Sequence, residues 1–234
     1  TRSLSSAASD VYKRQSDNSV VLLDGIYEPM LEKLKAQGGY LCNEEEKAAL
    51  RNTLWDEELH LNTAIVAQPP EKIAQMAGLS IPEETKFFIV PEEGWGPEHP
   101  FSGEKLSVIM ALYRARDIDH AIELTQNIQA YQGQGHSCGI YSSSDENIMK
   151  LAENTYTSRV MVNQPQAASN SGNVWNGMRQ TFSLGCGSWG GNGTNNNISW
   201  RDLINETWVS MPLPENKVIP PDEELFGDVI KQLG

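Results

Sequence analysis

Residues 107–131 read SVIMALYRARDIDHAIELTQNIQAY. The first part, Ser107–Tyr113, is a continuous apolar run of the kind found in strands that are buried on both faces of a sheet. Asp117 then marks the start of a helix. The residues that follow the helical period are Ile118, Ala121, Ile122, Thr125 and Ile128. A buried strand that leads directly into such a helix predicts an α/β fold.

The same alternation of strands and helices continues on both sides of this stretch. The predicted strands are Ser19–Leu23, Lys86–Pro91, Gly139–Tyr141 and Arg159–Val162. The predicted helices are Ile26–Gln37, a helix capped by Asn43, Glu71–Ala77 and Asp145–Glu153. This order predicts a parallel-type sheet covered by helices, and we assign the α/β domain to residues 16–198.

The composition excludes several classes of partner. The chain has 234 residues, 39% of them hydrophobic, and a formal net charge of −13. Nucleic acids and anionic membranes are bound by basic surfaces, so we expect neither as a partner. The three cysteines, Cys42, Cys138 and Cys186, form an odd set without metal-ligand spacing. We therefore expect free thiols, no metal and a cytoplasmic location.

Three further segments carry a family resemblance. Leu184–Asn192, LGCGSWGGN, has four glycines around one cysteine and one tryptophan, which favours close approach of the backbone to a ligand rather than a core. The other two are HPFSGEKLS at His99–Ser107 and RVMVNQP at Arg159–Pro165. Together they resemble the C-terminal half of the CoA-acylating aldehyde dehydrogenases, from Ser16 to about Ser210.

The resemblance implies an oxidoreductase that converts a short aldehyde into its acyl-CoA through a cysteine thioester. Its cofactor would be NAD or NADP, and coenzyme A its co-substrate. Acetaldehyde, succinate semialdehyde and sulfoacetaldehyde all stay open as substrates. A different class of function also stays open, a non-catalytic interaction module with an aldehyde dehydrogenase-like fold.

The nucleophile of the resembled family has no counterpart in this chain. Ser16–Val21, SDNSVV, continues the family's nucleophile segment in register and places the expected cysteine where Arg14 stands. The sequence also shows no GxGxxG phosphate loop in the required context, between a predicted strand and the helix that follows it. We therefore expect a truncated fragment without its cofactor-binding domain, inactive alone.

The first fifteen residues have a separate interpretation. DVYKRQ at Asp10–Gln15 is the peptide encoded by GAT GTG TAT AAG AGA CAG, a transposase adapter used in sequencing libraries. We interpret residues 1–15 as a disordered, adapter-derived artefact. The alternative is a genuine disordered tail.

The resemblance implies cofactor-binding roles for two residues of the GEKLS segment. Glu104 corresponds to a carboxylate that holds the nicotinamide ribose hydroxyls, a role that suits its two acceptor oxygens. Leu106 would lie near the nicotinamide ring. The alternative for Glu104 is an ordinary loop carboxylate. Val108 stands where the family usually has proline, so we expect a less rigid start to the strand.

Candidate substrate-pocket residues follow the strand at Arg159–Val162. Asn163 and Gln164 come at its carboxyl end, where open α/β sheets bind ligands. With residues 166–179, including Arg179, they are expected to line the aldehyde pocket, Arg179 as a partner for an anionic substrate tail. The alternatives are a connecting loop and a surface arginine.

Three more residues are placed by the resemblance. Cys186 and Gly187 lie at the same pocket, with Cys186 interpreted as a structural thiol rather than the nucleophile. His136, in GQGHSCGIY, matches a GHT or GHS turn of the family and is a candidate for proximity to coenzyme A. The alternative is an ordinary turn histidine before a strand.

The C-terminal segments predict contacts with other proteins. Asp202–Ser210 is predicted as an exposed strand, and the resemblance implies that residues 199–211 pair with a neighbouring subunit, giving a homo-oligomer. An edge strand within the same chain is the alternative. Residues 212–234 are a proline-rich linker and a short amphipathic helix. Its apolar residues are Leu225, Phe226, Val229, Ile230 and Leu233. The helix either targets the enzyme to a bacterial microcompartment shell or docks on the enzyme's own body.

Overall fold

The computed structural model describes residues 17–212 and 220–233, and the strands in these ranges form two parallel sheets. The strands are β1 (Ser19–Leu23), β2 (Gly39–Leu41), β3 (Phe87–Pro91), β4 (Ile109–Ala115), β5 (Cys138–Ile140) and β6 (Val160–Val162). The larger sheet has the order β1-β4-β3-β2, and the smaller one pairs β5 with β6. The predicted α/β class with a parallel sheet is confirmed.

Five of the seven helices in the described ranges lie between strands along the chain, as the sequence predicts. The seven helices are α1 (Asp24–Ala36), α2 (Glu44–Leu54), α3 (Pro70–Ala77), α4 (Ile118–Tyr131), α5 (Asp145–Asn154), α6 (Gln166–Ser169) and α7 (Asp222–Leu233). The predicted caps are present: Asn43 forms a capping box with Glu46, and Asp117 accepts a hydrogen bond from the His120 amide at 2.8 Å. Helix α1 begins two residues earlier than predicted.

Strand β4 is buried on both faces, which confirms the interpretation of its apolar run. Leu112 packs with Ile89 of β3 and Leu31 of α1 on one face. Ala111 and Tyr113 face the larger core under α2, α3 and α4. The strand itself spans Ile109–Ala115, two residues later than predicted. The larger sheet is therefore a middle layer between α1 and the other three helices.

Strand β2 is absent from the sequence-based prediction, which used Gly38 and Gly39 only to end a helix. Gly38 does end α1, with φ +96°. Gly39 instead begins an edge strand, and a Cβ there would lie 2.6 Å from Ile89 Cδ1 and 2.9 Å from the Leu34 carbonyl oxygen. The glycine lets β2 approach β3 closely, a requirement that local periodicity does not reveal.

The described residues divide into two units, one ending at Ser199 and one beginning at Trp200. In the second unit the strand predicted at Asp202–Ser210 is not confirmed. Trp200–Leu203 forms a 3-10 turn, and residues 205–212 have no regular secondary structure. A strand requires a neighbouring strand, and none of the described strands pairs with residues 205–210.

Helix α7 lies where the amphipathic helix was predicted. Leu225, Phe226 and Val229 are about half exposed on it. The Ile230 and Leu233 side chains, the linker residues 213–219 and residues 1–16, which include Arg14, lie outside what the structure describes. Within the described ranges, none of the helices has the length and apolar character needed to cross a membrane.

Candidate functional site

A buried carboxylate organises the loop that leads to the GEKLS segment. Glu92 follows β3 directly, and its side chain is 2% exposed. Its Oε1 accepts hydrogen bonds from the Glu93 amide at 3.0 Å and from His99 Nδ1 at 2.8 Å, and lies 3.3 Å from Lys47 Nζ. Burial favours the neutral acid, but these donors outweigh it and lower the pKa of Glu92. The loop is thus fixed to the carboxyl end of the sheet.

Glu92→Gln is expected to lower the free energy of unfolding at pH 7 by about 1–3 kcal/mol, because the amide cannot replace the charge-assisted bonds. The folded-state pKa of Glu92 lies below its ordinary value of 4.5. Its stabilising contribution is therefore full above that pH and is lost as the pH falls through the folded-state pKa. Urea unfolding should therefore show that the difference in free energy of unfolding between the parent and Glu92→Gln is smaller at lower pH than at pH 7. Glu93→Gln, at an exposed neighbour, is the control, and a pH-independent difference would contradict the prediction.

The GEKLS segment is tied to two distant parts of the chain. The Lys105 amide donates to Asn18 Oδ1 at 3.0 Å, and the Glu104 amide donates to Gln132 Oε1 at 2.7 Å. Lys105 is fully buried, and its ammonium group donates to the Phe101 and Gly103 carbonyl oxygens at 2.6 and 2.9 Å. The Glu104 side chain is exposed. The backbone of the segment is held on both sides while the carboxylate is free to meet a ligand.

The Leu106 backbone has an unusual conformation. Its φ is +46°, and its carbonyl oxygen accepts a hydrogen bond from the Ala67 amide at 3.0 Å. A leucine in the left-handed region costs roughly 1–2 kcal/mol. The surrounding contacts therefore hold the residue after Lys105 in a defined, strained position.

The turn that contains His136 packs on the glycine-rich segment Leu184–Asn192. A Cβ on Gly135 would overlap the Cys186 carbonyl oxygen and lie 2.6 Å from the Gly190 nitrogen. His136 is half-buried, and its Nδ1 lies 2.7 Å from Ser137 Oγ. Burial, and then the charge of Arg159, lower the pKa of His136. The structure thus brings together the predicted coenzyme A residue and the glycine-rich segment.

Gly135→Ala is expected to destabilise the chain by about 2 kcal/mol more than Gly133→Ala, because its Cβ would overlap packed backbone. Both glycines have positive φ, +84° and +107°, so both alanines carry the cost of that conformation. Open space surrounds a Cβ at Gly133, which makes it a matched control. Urea unfolding of the two variants measures the difference. Equal losses would show that the turn and the glycine-rich segment are not in contact.

Arg159 joins the glycine-rich segment to β6. It is 4% exposed, and its guanidinium donates to Asn197 Oδ1 at 2.8 Å, to the Gly185 carbonyl oxygen at 2.8 Å and to the His136 carbonyl oxygen at 3.3 Å. Asn197 in turn donates to the Arg179 carbonyl oxygen at 2.8 Å. This single cation satisfies backbone acceptors that the glycine-rich segment cannot pair with itself.

The residues predicted to line the aldehyde pocket have clear local partners. Asn163 has φ +52° and bonds through its side chain to both the amide and the carbonyl oxygen of Ser142, at 2.9 and 2.8 Å. Gln164 accepts from the Asn176 side chain at 3.3 Å, and the exposed Arg179 donates to Ser199 Oγ at 3.3 Å. For Asn163 these bonds match the alternative, a connecting loop.

Cys186 is a half-buried free thiol whose backbone amide donates to Asn192 Oδ1 at 2.9 Å. The other two cysteines are buried free thiols, and burial raises the pKa of both, that of Cys42 to about 12. In the part of the chain that the structure describes, no cluster of His, Cys, Asp and Glu side chains could hold a metal ion.

Sequence reasoning did not single out Arg159, Lys105 or Gln132 as part of this region. Arg159 and Lys105 are cations within the motifs RVMVNQP and GEKLS, respectively. Apolar residues beside them in these motifs indicate that the two cations are buried. A buried cation requires several acceptors, so each marks a contact with another segment. Gln132 carries no such signal, because an amide at a helix end is common at surfaces.

Comparison with known proteins shows which solved structures have the same fold as this chain. No protein-family model matches the chain. The fold is that of the acylating aldehyde dehydrogenases: the acetylating aldehyde dehydrogenase of Geobacillus thermoglucosidasius superposes with a TM-score of 0.81 and 30% identity, over 89% of this chain and 47% of that chain.

The sequence relatives belong to the same class. The acylating sulfoacetaldehyde dehydrogenase of Cupriavidus necator is 38% identical over 221 residues, 94% of this chain and 44% of that enzyme. The acetylating succinate-semialdehyde dehydrogenase of Clostridium kluyveri is 32% identical over 213 residues, 91% of this chain and 46% of that enzyme. The chain is thus homologous to acylating aldehyde dehydrogenases, and it spans somewhat less than half their length.

Proposed function

We propose that this chain is the catalytic-domain part of an NAD(P)-dependent acylating aldehyde dehydrogenase that oxidises a short aldehyde to its acyl-CoA through a cysteine thioester. One observation carries the proposal. The segments that hold the predicted functional residues, far apart in sequence, contact one another through Asn18, Glu104, Gln132, Gly135 and Arg159. Homology to acylating aldehyde dehydrogenases supports the same function.

Glu104 is the residue proposed to hold the nicotinamide ribose. An exposed carboxylate on a backbone fixed by Gln132 and Asn18 suits a vicinal diol, because each carboxylate oxygen accepts one hydroxyl hydrogen. The acceptor oxygens of Glu104 therefore fit the ribose hydroxyls of the cofactor. NAD or NADP, when bound, would accept the hydride. Leu106, in its fixed conformation, supplies an apolar contact beside Glu104.

The aldehyde and coenzyme A would bind around Gln164, Arg179, His136 and the Cys186–Gly187 turn. Arg179 is exposed and carries a forked donor set that suits a sulfonate or carboxylate. The names of the relatives, which act on sulfoacetaldehyde and on succinate semialdehyde, favour an anionic aldehyde. Cys186 is assigned a structural role, and the nucleophile is expected at the position that Arg14 occupies.

The first experiment is to recover, by long-read sequencing of the source DNA, the reading frame upstream of the Ser16 codon. The proposal expects the frame to continue through a cysteine two residues before Ser16 into a dinucleotide-binding domain. The encoded protein should then form NADH only when aldehyde and coenzyme A are both present. A stop codon or a start codon at that point would contradict the proposed dehydrogenase activity and favour a non-catalytic interaction module.

Oligomerisation is proposed through residues 199–211. Within this segment, residues 205–211 have no regular secondary structure, and Trp208, Val209 and Met211 are 90%, 82% and 79% exposed. Unpaired backbone next to exposed apolar side chains is the condition under which a second copy adds a strand.

The α7 helix is proposed as a docking element, either for the enzyme's own body or for a microcompartment shell. If it targets a shell, residues 220–234 fused to a fluorescent reporter should give discrete foci in shell-producing cells. Its half-exposed Leu225, Phe226 and Val229 would supply the apolar contact. A fusion carrying Leu225→Ser and Phe226→Ser is the control. Diffuse signal from the unmodified fusion would leave docking on the enzyme as the role.

A further inference from the structure

The hydroxyl group of Ser137 is placed between two amide donors and an imidazole. Gln166 Nε2 donates to Ser137 Oγ at 2.9 Å, and Asn170 Nδ2 donates to it at 3.0 Å. His136 Nδ1 lies 2.7 Å from the same oxygen. Gln166 and Asn170 lie one helical turn apart at α6, so one short helix presents both amides to Ser137.

The hydrogen count at Ser137 determines the direction of the third bond. A hydroxyl group has one hydrogen to donate and two lone pairs to accept with. With these amide orientations, Gln166 Nε2 and Asn170 Nδ2 occupy both lone pairs, so the hydroxyl hydrogen is donated to His136 Nδ1. Nδ1 is then an acceptor and carries no proton. In a neutral imidazole the proton must therefore lie on Nε2.

We propose that Ser137, oriented by Gln166 and Asn170, fixes His136 as the neutral tautomer with its proton on Nε2. Within the described residues, no hydrogen bond is formed by Nε2, so this N–H is available to a ligand. His136 then offers a hydrogen-bond donor rather than a base. Resting on the proposed function, the acceptor would be the carbonyl oxygen of the aldehyde or thioester, on which negative charge develops during acyl transfer. Ser137, Gln166 and Asn170 are positioning residues.

The charge state of His136 agrees with this assignment. Half-burial and the nearby guanidinium of Arg159, which donates to the His136 carbonyl oxygen at 3.3 Å, both disfavour the imidazolium. The imidazolium would also place a proton on Nδ1, facing an oxygen that has no free lone pair. Protonation would therefore require the Ser137 cluster (Ser137, Gln166 and Asn170) to rearrange.

The tautomer can be measured directly in the full 234-residue chain, without cofactor or substrate. Long-range ¹H–¹⁵N correlation spectra of the ¹⁵N-labelled protein at pH 7 distinguish protonated from unprotonated imidazole nitrogens. The chain has four histidines, and His136→Gln identifies the signals of His136. We expect an unprotonated Nδ1 and a protonated Nε2. A protonated Nδ1, whether in the other tautomer or in the imidazolium, would overturn the proposal.

A second variant tests the role of the amide donors. Gln166→Glu replaces a donor by an acceptor, so Ser137 must donate its hydrogen to the new carboxylate and accept from Nδ1–H instead. The His136 proton should move from Nε2 to Nδ1, or both nitrogens should become protonated. Gln75→Glu, at an exposed site on α3, adds the same charge elsewhere and should leave the spectrum unchanged.

Ser137→Ala covers the case in which Gln166→Glu fails to fold. Without the hydroxyl group, the nitrogen shifts of His136 should move towards those of a free histidine. Unchanged His136 signals in a folded Gln166→Glu or Ser137→Ala variant would overturn the proposal. These measurements use no aldehyde and no cofactor, so they are independent of the proposed dehydrogenase function. An unexpected tautomer would not contradict that function, and absence of dehydrogenase activity would not contradict the tautomer.

Discussion

Arg159→Met is expected to lower the free energy of unfolding by about 3–5 kcal/mol, the largest loss predicted for a single side chain of this protein. The methionine fills the space of the arginine stem but donates no hydrogen bond. Asn197 Oδ1 and the carbonyl oxygens of Gly185 and His136 would then be left without this donor in a buried setting. Each unpaired buried acceptor costs about 1–3 kcal/mol.

Urea unfolding of the 234-residue chain measures this loss. The free energy of unfolding of Arg159→Lys should lie between that of Arg159→Met and that of the parent. A lysine keeps the positive charge, but its single ammonium group cannot reach all the acceptors that the forked guanidinium reaches. Arg116→Met is the matched control, since Arg116 has a side chain 66% exposed and pairs only at the surface with Asp117 at 3.4 Å. A loss for Arg159→Met as small as that for Arg116→Met would show that the glycine-rich segment does not depend on this cation.

Glu104→Gln is expected to lower kcat/KM for NAD by about 10- to 100-fold in the complete enzyme. The amide retains the size of the side chain but presents one acceptor oxygen instead of two and carries no charge. Charge-assisted hydrogen bonds contribute about 1.5–3 kcal/mol each, and 1.4 kcal/mol corresponds to a factor of ten. The loss should appear when NAD is varied at saturating aldehyde and coenzyme A.

Glu98→Gln, at another exposed position of the same loop region, is the control for removal of one negative charge. It should leave kcat/KM for NAD within a factor of about two, as expected for a surface substitution of about 0.5 kcal/mol or less. A Glu104→Gln enzyme that loses activity towards the aldehyde but retains its kcat/KM for NAD would contradict the ribose-binding role.

Most elements of the fold follow from local patterns. The buried strand β4, the N-caps Asn43 and Asp117, and the glycine that ends α1 each have a cause within a few residues of themselves. Hydrophobic periodicity and capping are short-range effects, so a single sequence contains them. The strand at Gly39–Leu41 was missed because it exists only through its pairing with β3.

The candidate site was predictable only in part, for a related reason. The motifs that contain Glu104, His136 and Cys186 are visible in the sequence, and the family resemblance gives them roles. Their mutual contacts are not visible, because the Gly135 turn meets Cys186 across about fifty residues and Asn18 meets Lys105 across 87. Such contacts depend on how the sheets and loops pack.

The amino-acid order alone therefore fixes the α/β class, most of the helices and strands, and the motifs that resemble acylating aldehyde dehydrogenases. The tertiary structure decides which polar groups are buried together, as at Arg159, Glu92 and the Ser137 cluster. The physical reason is that secondary structure is governed by neighbours along the chain, whereas a buried charge or hydroxyl group must find its hydrogen-bond partners in space.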